Sequence, residues 1–314
     1  KKTSFLGGCC SIITTETQTY GGNGLVNSDI TIECSSVTFE KNLVSHSKDS
    51  KKDVTITGDC VFKGTVGSEV SDWNNEKIKN LSVSGSVTAY GDFYTSGTLT
   101  FGKEVFLAAD DIVFSSENNI SFKGGIKGNA NASGNGTVYF GGRTVTACAI
   151  EIGGSVTEVN NVVFNGNVVL NSSSNVSAKN DIVFNSDAVL NSSVSAEKDI
   201  HFNGSTKPLG TISVLEDATF SSAEPVQKVI SLGNQKYSGK VISLENQKYS
   251  GKVTARTGLE IKAGADGTNV SSVEFSGFYV AGSLSVTADS AKLFCADYIS
   301  SGNQVFNCSG GVKI

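Results

Sequence analysis

The chain has 314 residues, with 25 Lys plus Arg against 30 Asp plus Glu and a net charge of −5. That balance carries no basic footprint for nucleic acid, and no run of eighteen apolar residues is present to form a membrane-crossing helix. Glycine is frequent at 35, proline is scarce at 2 and only 18% of residues are charged, so Ser, Thr, Asn and Gly supply most of the solvation.

Residues 1–28 mix Gly with Thr and read as an irregular or capping start. They include the adjacent pair Cys9-Cys10, which can hardly bond to each other without strain, so the two are candidates for an intermolecular disulfide. Seven cysteines form no Cys-x-x-Cys pair and no His-paired metal pattern. Cys34, Cys60 and Cys148 are expected to be small buried hydrophobes. The pairing of the seven stays open. The chain begins with Lys1 and shows no signal peptide, which reads as a trimmed product of a longer precursor.

Alternation of apolar and hydroxyl residues begins near Ser28-Asp29-Ile30-Thr31-Ile32 and continues in Val54-Thr55-Ile56-Thr57 and Leu81-Ser82-Val83-Ser84. Period two places one set on each face of a strand. Two polar excursions interrupt it, at 45–52 with His46 and at 71–77 with the single tryptophan, Trp73. Trp73 is the candidate contact residue, since function on a repetitive scaffold tends to sit in its loops.

The middle of the chain carries the decisive pattern. Phe164, Phe184, Phe202 and Phe220 recur in the frame Asp/Asn-Ile/Val-x-Phe-Asn, at steps of 20, 18 and 18 residues. Val168-Val169-Leu170-Asn171-Ser172-Ser173 returns as Ala188-Val189-Leu190-Asn191-Ser192-Ser193. A unit this short cannot bury a core alone and is stable only when stacked on its neighbours. The expected fold is therefore all-β, a parallel β-helix (β-solenoid) with about 18–20 residues and two or three short strands per coil, hence about sixteen coils. The four phenylalanines are expected to point inward at equivalent positions. Residues 1–314 are expected to be one β-solenoid domain, with coils over 29–314.

Further on, Val229–Lys240 is repeated at Val241–Lys252 with Glu245 in place of Gly233. A step of 12 is shorter than a coil, so the duplication adds faces or bulges outward. Gly264-Ala265-Asp266-Gly267-Thr268 is a weak calcium-turn pattern.

Catalytic chemistry on a β-helix needs carboxylates, or a carboxylate with Arg or Lys, gathered on one lateral face. The pairs Asp110-Asp111 and Glu216-Asp217 are sequence neighbours, so in a strand they point to opposite faces. His201 takes the place of Val183 in the repeat and is expected on the lateral surface. Ten Asn-x-Ser/Thr tripeptides, among them Asn80, Asn171, Asn191 and Asn203, read as turn-forming asparagines able to stack as amide ladders. No cofactor or metal site is expected.

Gln-x-Tyr-x-Gly occurs at Gln18–Gly22, Gln235–Gly239 and Gln247–Gly251, together with Val-x-Phe-x-Gly/Asn turns such as Val163-Phe164-Asn165-Gly166. In these motifs the chain resembles filamentous-haemagglutinin-type adhesins of two-partner secretion and related autotransporter passengers. Phe39-Glu40-Lys41-Asn42 and Phe164-Asn165-Gly166-Asn167 also match the Phe-x-x-Asn motif of chlamydial polymorphic membrane proteins, the second resemblance, though its companion Gly-Gly-Ala-Ile is missing. The first resemblance implies a right-handed parallel β-helix at the bacterial cell surface. It also implies a structural or adhesive rod without catalysis, or the subunit of an extracellular filament. The partner would be a host or surface receptor, or further copies of the chain end to end. The alternative is a polysaccharide-active β-helix enzyme, a lyase or hydrolase, marked by a lateral cleft with convergent carboxylates.

Overall fold

The structure is a computed structural model. It describes residues 3–6, 11–46, 51–69, 77–128, 136–144, 148–204, 206–208, 212–214, 218–220, 229–231, 235–242, 247–249, 253–263, 272–275, 277–293 and 298–313. Those residues form short strands and no helix, so none of them belongs to a helix long and apolar enough to cross a membrane. The strands stack in parallel, each on its equivalent one coil later, and the fold is a β-solenoid. The chain divides into two compact units, Lys1–Asn167 and Val168–Ile314.

In the first unit three lateral columns are built. One runs through Leu81–Val83, Thr98–Phe101, Asn119–Phe122 and Ala149–Ile152. The next runs through Val87–Ala89, Val105–Leu107, Ile126–Lys127 and Val156–Val159. The third runs through Phe93–Thr95, Ile112–Ser116, Thr137–Phe140 and Asn161–Phe164. Near the start, the longer strands Ile30–Phe39 and Val54–Phe62 serve two columns each and bend where the register shifts between Glu33 and Ser36. Gly58 fits that corner because a Cβ there would lie 2.1 Å from the Cys34 carbonyl oxygen.

The core of this unit is aromatic. Phe93, Phe114, Phe140 and Phe164 stack in sequence at 5.1, 5.7 and 5.0 Å between ring centroids. Phe101 and Phe122 form a second stack at 5.1 Å that meets the first edge-on. Offset and edge-to-face contacts satisfy the ring quadrupoles, adding about 1 kcal/mol per pair beyond burial.

Several expectations change here. The start is not irregular: Thr3–Leu6 already pairs with Asn23–Val26, and Ser11–Ile13 with the strand at Ile30. Coils are also longer than 18–20 residues through much of this unit. Coil-to-coil bonds span 18 residues at Asn80–Thr98 but 24 at Asp29–Asp53 and 27 at Asp53–Asn80. The surplus lies in turns, where insertion leaves the strand register intact. The coils are consequently fewer than sixteen.

The second unit keeps the expected 18-residue step in its regular part. Ile182 pairs with Ile200 and Phe184 with Phe202, whose rings stack at 4.8 Å. Phe164, Phe184 and Phe202 are fully buried. Phe220 continues the register beyond Phe202. The 12-residue duplication does add faces. Val229–Ser231 pairs with Gln247–Tyr249, and Gln235 with Val253, so the two copies are not stacked on each other in register. The tripeptide Gln-Lys-Tyr consequently occupies two lateral columns, at 235–237 and 247–249. Twelve is an even shift, so inward and outward positions are conserved.

Candidate functional site

Polar turns follow one rule along the stack. An Asp or Asn side-chain oxygen at a turn accepts the backbone N–H of the residue one coil on. Asp29 Oδ1 accepts Asp53 N–H at 2.9 Å, Asp59 Oδ1 accepts Ser86 N–H at 2.8 Å and Asp92 Oδ1 accepts Val113 N–H at 2.9 Å. Asp111 Oδ1 accepts Thr137 N–H at 2.6 Å, so this member of the Asp110-Asp111 pair serves the fold. In the second unit Asn203 Nδ2 donates to Asn185 Oδ1 at 2.7 Å, an amide ladder of the kind expected. Turn donors that would otherwise be orphaned are satisfied in this way.

One place on the third column of the first unit breaks the regularity. Leu43, Val66 and Phe93 are bridged in successive coils and point inward, fully buried. The residues that follow them are Val44, Gly67 and Tyr94. Val44 and Tyr94 face the other way by alternation, whereas Gly67 between them has no side chain. Its φ of +71° and the 2.0 Å gap from a built Cβ to the Tyr94 carbonyl oxygen require glycine there. Preceding positions follow suit: Asn42, Thr65 and Asp92 succeed one another, with short Thr65 in the middle. A missing side chain beside a short one leaves a cleft of about 300 Å³, lined by Asn42, Thr65, Ser68, Glu69, Asp92 and Tyr94 around Gly67.

The polar groups in it are partly committed. Asn42 Oδ1 accepts Thr65 N–H at 3.0 Å. Asp92 Oδ2 accepts the Tyr94 hydroxyl at 3.0 Å. Tyr94 is 6% exposed. Burial, together with the nearby charges of Asp92 and Glu69, pushes its hydroxyl well above the ordinary tyrosine range, against a smaller opposite pull from Arg143. Arg143 itself lies over the Tyr139 ring, 5.0 Å from the centroid. Glu69 stands exposed at the rim.

Other sequence candidates fall elsewhere. Cys9, Cys10, Trp73, Cys295, Glu216-Asp217 and residues 264–268 lie outside the described residues, as do 47–50 and 71–76 of the two polar excursions. Ser45 is a correction: it is buried in the strand Leu43–Ser45 instead of opening a charged loop. His46 is exposed, and Lys77 pairs with Glu117 at 2.8 Å. His201 is half-buried, in register between Val183 and Thr219 as expected for a lateral position. Cys60 and Cys148 are buried, but Cys34 is only half-buried because it sits at the bulged corner. Burial pushes the thiols of Cys34, Cys60 and Cys308 up. Among the described residues no group of three or more His, Cys, Asp or Glu side chains is arranged to hold a metal ion.

Sequence reading missed the cleft. Gly67 is one glycine among many, and its meaning appears only when residues 44, 67 and 94 are aligned across coils of unequal length. No protein-family model, curated protein or solved structure matches the chain.

Proposed function

We propose that the chain is a secreted, non-catalytic cell-surface protein whose stacked coils act as a rigid adhesive or structural surface, alone or joined end to end with further copies. The observation that carries this reading is the repetition of outward side chains in register. Thr31, Thr55, Ser82, Thr100 and Ser121 follow one another up a single lateral face. Ser177 and Ser195 do the same in the second unit, with their hydroxyls 3.4 Å apart. Such ladders present one chemical group at a fixed repeat, which suits multivalent contact with an extended partner. Outward aromatics add anchoring positions: Tyr90 is 47% exposed, Phe106 36% and Tyr279 43%. Aromatic side chains of this kind carry much of the binding energy at protein interfaces.

The second reading, a polysaccharide-active enzyme, is favoured by the cleft at Gly67, which Glu69 and Asp92 both line. Against it, both carboxylate oxygens of Asp92 already accept hydrogen bonds from the fold. A catalytic pair needs one group free to deliver a proton and another free to attack or to activate water.

The test is to coat beads with purified chain and drive them over epithelial cells, glass and polystyrene under flow. Adhesive function requires retention on at least one of these surfaces above beads coated with albumin. Equal detachment on all three would overturn it.

A further inference from the structure

The cleft at Gly67 lies where the turns of three successive coils meet. Its floor is a glycine that cannot be replaced without strain. Its walls are the side chains of the coils on either side, held by hydrogen bonds between coils from Thr65 N–H to Asn42 Oδ1 and from Val113 N–H to Asp92 Oδ1. At about 300 Å³ it lies at the lower end of small-ligand sites. That size suits one or two rings of a chain lying along the lateral face.

The lining decides the chemistry. Acceptors are the exposed Glu69 carboxylate and the remaining lone pairs of Asp92. Donors are the Asn42 amide, whose oxygen is already used, and the Thr65 hydroxyl. An ammonium group offers only donors and would leave the amide and hydroxyl donors unanswered. A sugar hydroxyl both donates and accepts, and vicinal hydroxyls match a carboxylate and an amide set side by side.

We propose that this cleft is a binding subsite for a neutral saccharide, with sugar hydroxyls donating to Glu69 and Asp92 and accepting from Asn42 and Thr65. The inference gives the adhesive surface a ligand class and rests on that reading for its setting. The saccharide has two sources, a free oligosaccharide or a polysaccharide displayed on a surface, and both present the same hydroxyl chemistry to the cleft.

The experiment is calorimetric titration of the purified chain with cellotriose, laminaritriose and the N-acetylglucosamine trimer, with spermidine and calcium chloride as competing chemistries. A second arm measures retention of the chain on cellulose and chitin particles. At least one neutral trisaccharide should bind saturably. Glu69→Gln and Thr65→Val should each weaken it about tenfold, the loss expected for one hydrogen bond in a site of this kind. Glu104→Gln, an exposed carboxylate away from the cleft, should leave affinity unchanged. Binding of trisaccharide places the ligand as a free sugar, whereas retention on particles that Glu69→Gln abolishes places it as a surface polymer. No saturable binding in either arm, binding of spermidine or calcium alone, or binding indifferent to both cleft variants would overturn the proposal. Bead adhesion that survives under those outcomes would leave the adhesive reading standing, so the two fail separately.

Discussion

Asn80 and Asp53 stand 27 residues apart in sequence and one coil apart in space, with Asn80 Nδ2 donating to Asp53 Oδ1 at 2.9 Å. The other end of the same amide accepts Thr98 N–H at 2.6 Å. One asparagine thus ties a coil to both its neighbours. Asn80→Leu removes both bonds and leaves the Thr98 N–H without its acceptor. The expected cost is about 1–3 kcal/mol, read as a lower urea midpoint. Asn80→Asp keeps the acceptor for Thr98 but sets two carboxylates against each other, so its loss should grow on raising the pH from 3 to 7.

The aromatic core makes a graded prediction. Phe114 touches Phe93, Phe101, Phe122 and Phe140, at 5.1, 5.7, 5.1 and 5.7 Å between centroids. Phe114→Ala should cost about 3–5 kcal/mol, and Phe114→Leu clearly less, because leucine refills most of the volume. Equal midpoints for the two variants in thermal unfolding would contradict the stack.

Tyr94 gives a pH signature. Its folded hydroxyl titrates above the ordinary value of 10.0 because it is buried and lies beside Asp92 and Glu69. The protonated form is therefore favoured by folding. That contribution is complete below pH 10, where both states hold the proton. It declines as the pH rises further, because the unfolded chain ionises first. Tyr94→Phe should be less stable than the parent at pH 8, having lost the bond to Asp92, and the difference should narrow above pH 10. A constant difference from pH 8 to pH 11 in urea titrations would contradict it.

Register predicts which deletions survive. Ile182 and Ile200 occupy the same position in successive coils, as do Phe184 and Phe202. Removing Ile182–Asp199 joins Asp181 to Ile200, so one whole coil leaves and the register closes on itself. Removing only Ile182–Leu190 displaces the following strands onto the wrong columns. The first variant should unfold cooperatively near the parent temperature, and the second should lose its cooperative transition.

Much of this was legible in the residues. Phe184, Phe202 and Phe220 sit at an unbroken 18-residue step, so periodicity alone placed them in register. The larger aromatic core escaped because Phe93, Phe114 and Phe140 are separated by turns of unequal length, which hide the period while keeping the geometry. Ser11–Ile13 and Asn23–Val26 lie amid glycines and threonines that read locally as irregular, yet they are held by the coil stacked on them. The duplication at 229 and 241 was visible, but its placement on different columns depends on the ratio of 12 to 18. The Gly67 cleft depends on what is missing between Val44 and Tyr94, and no pattern along the sequence reports that.

In the proposed function the stacked coils bind and hold a surface without altering it. Surface plasmon resonance on a sensor coated with neutral polysaccharide or with cell-surface protein tests this directly. Injected chain should add mass, much of this mass should be retained, and repeated injection should leave the coating intact. No retained mass on any coating, or a baseline that sinks below its starting level as polysaccharide is stripped away, would contradict it.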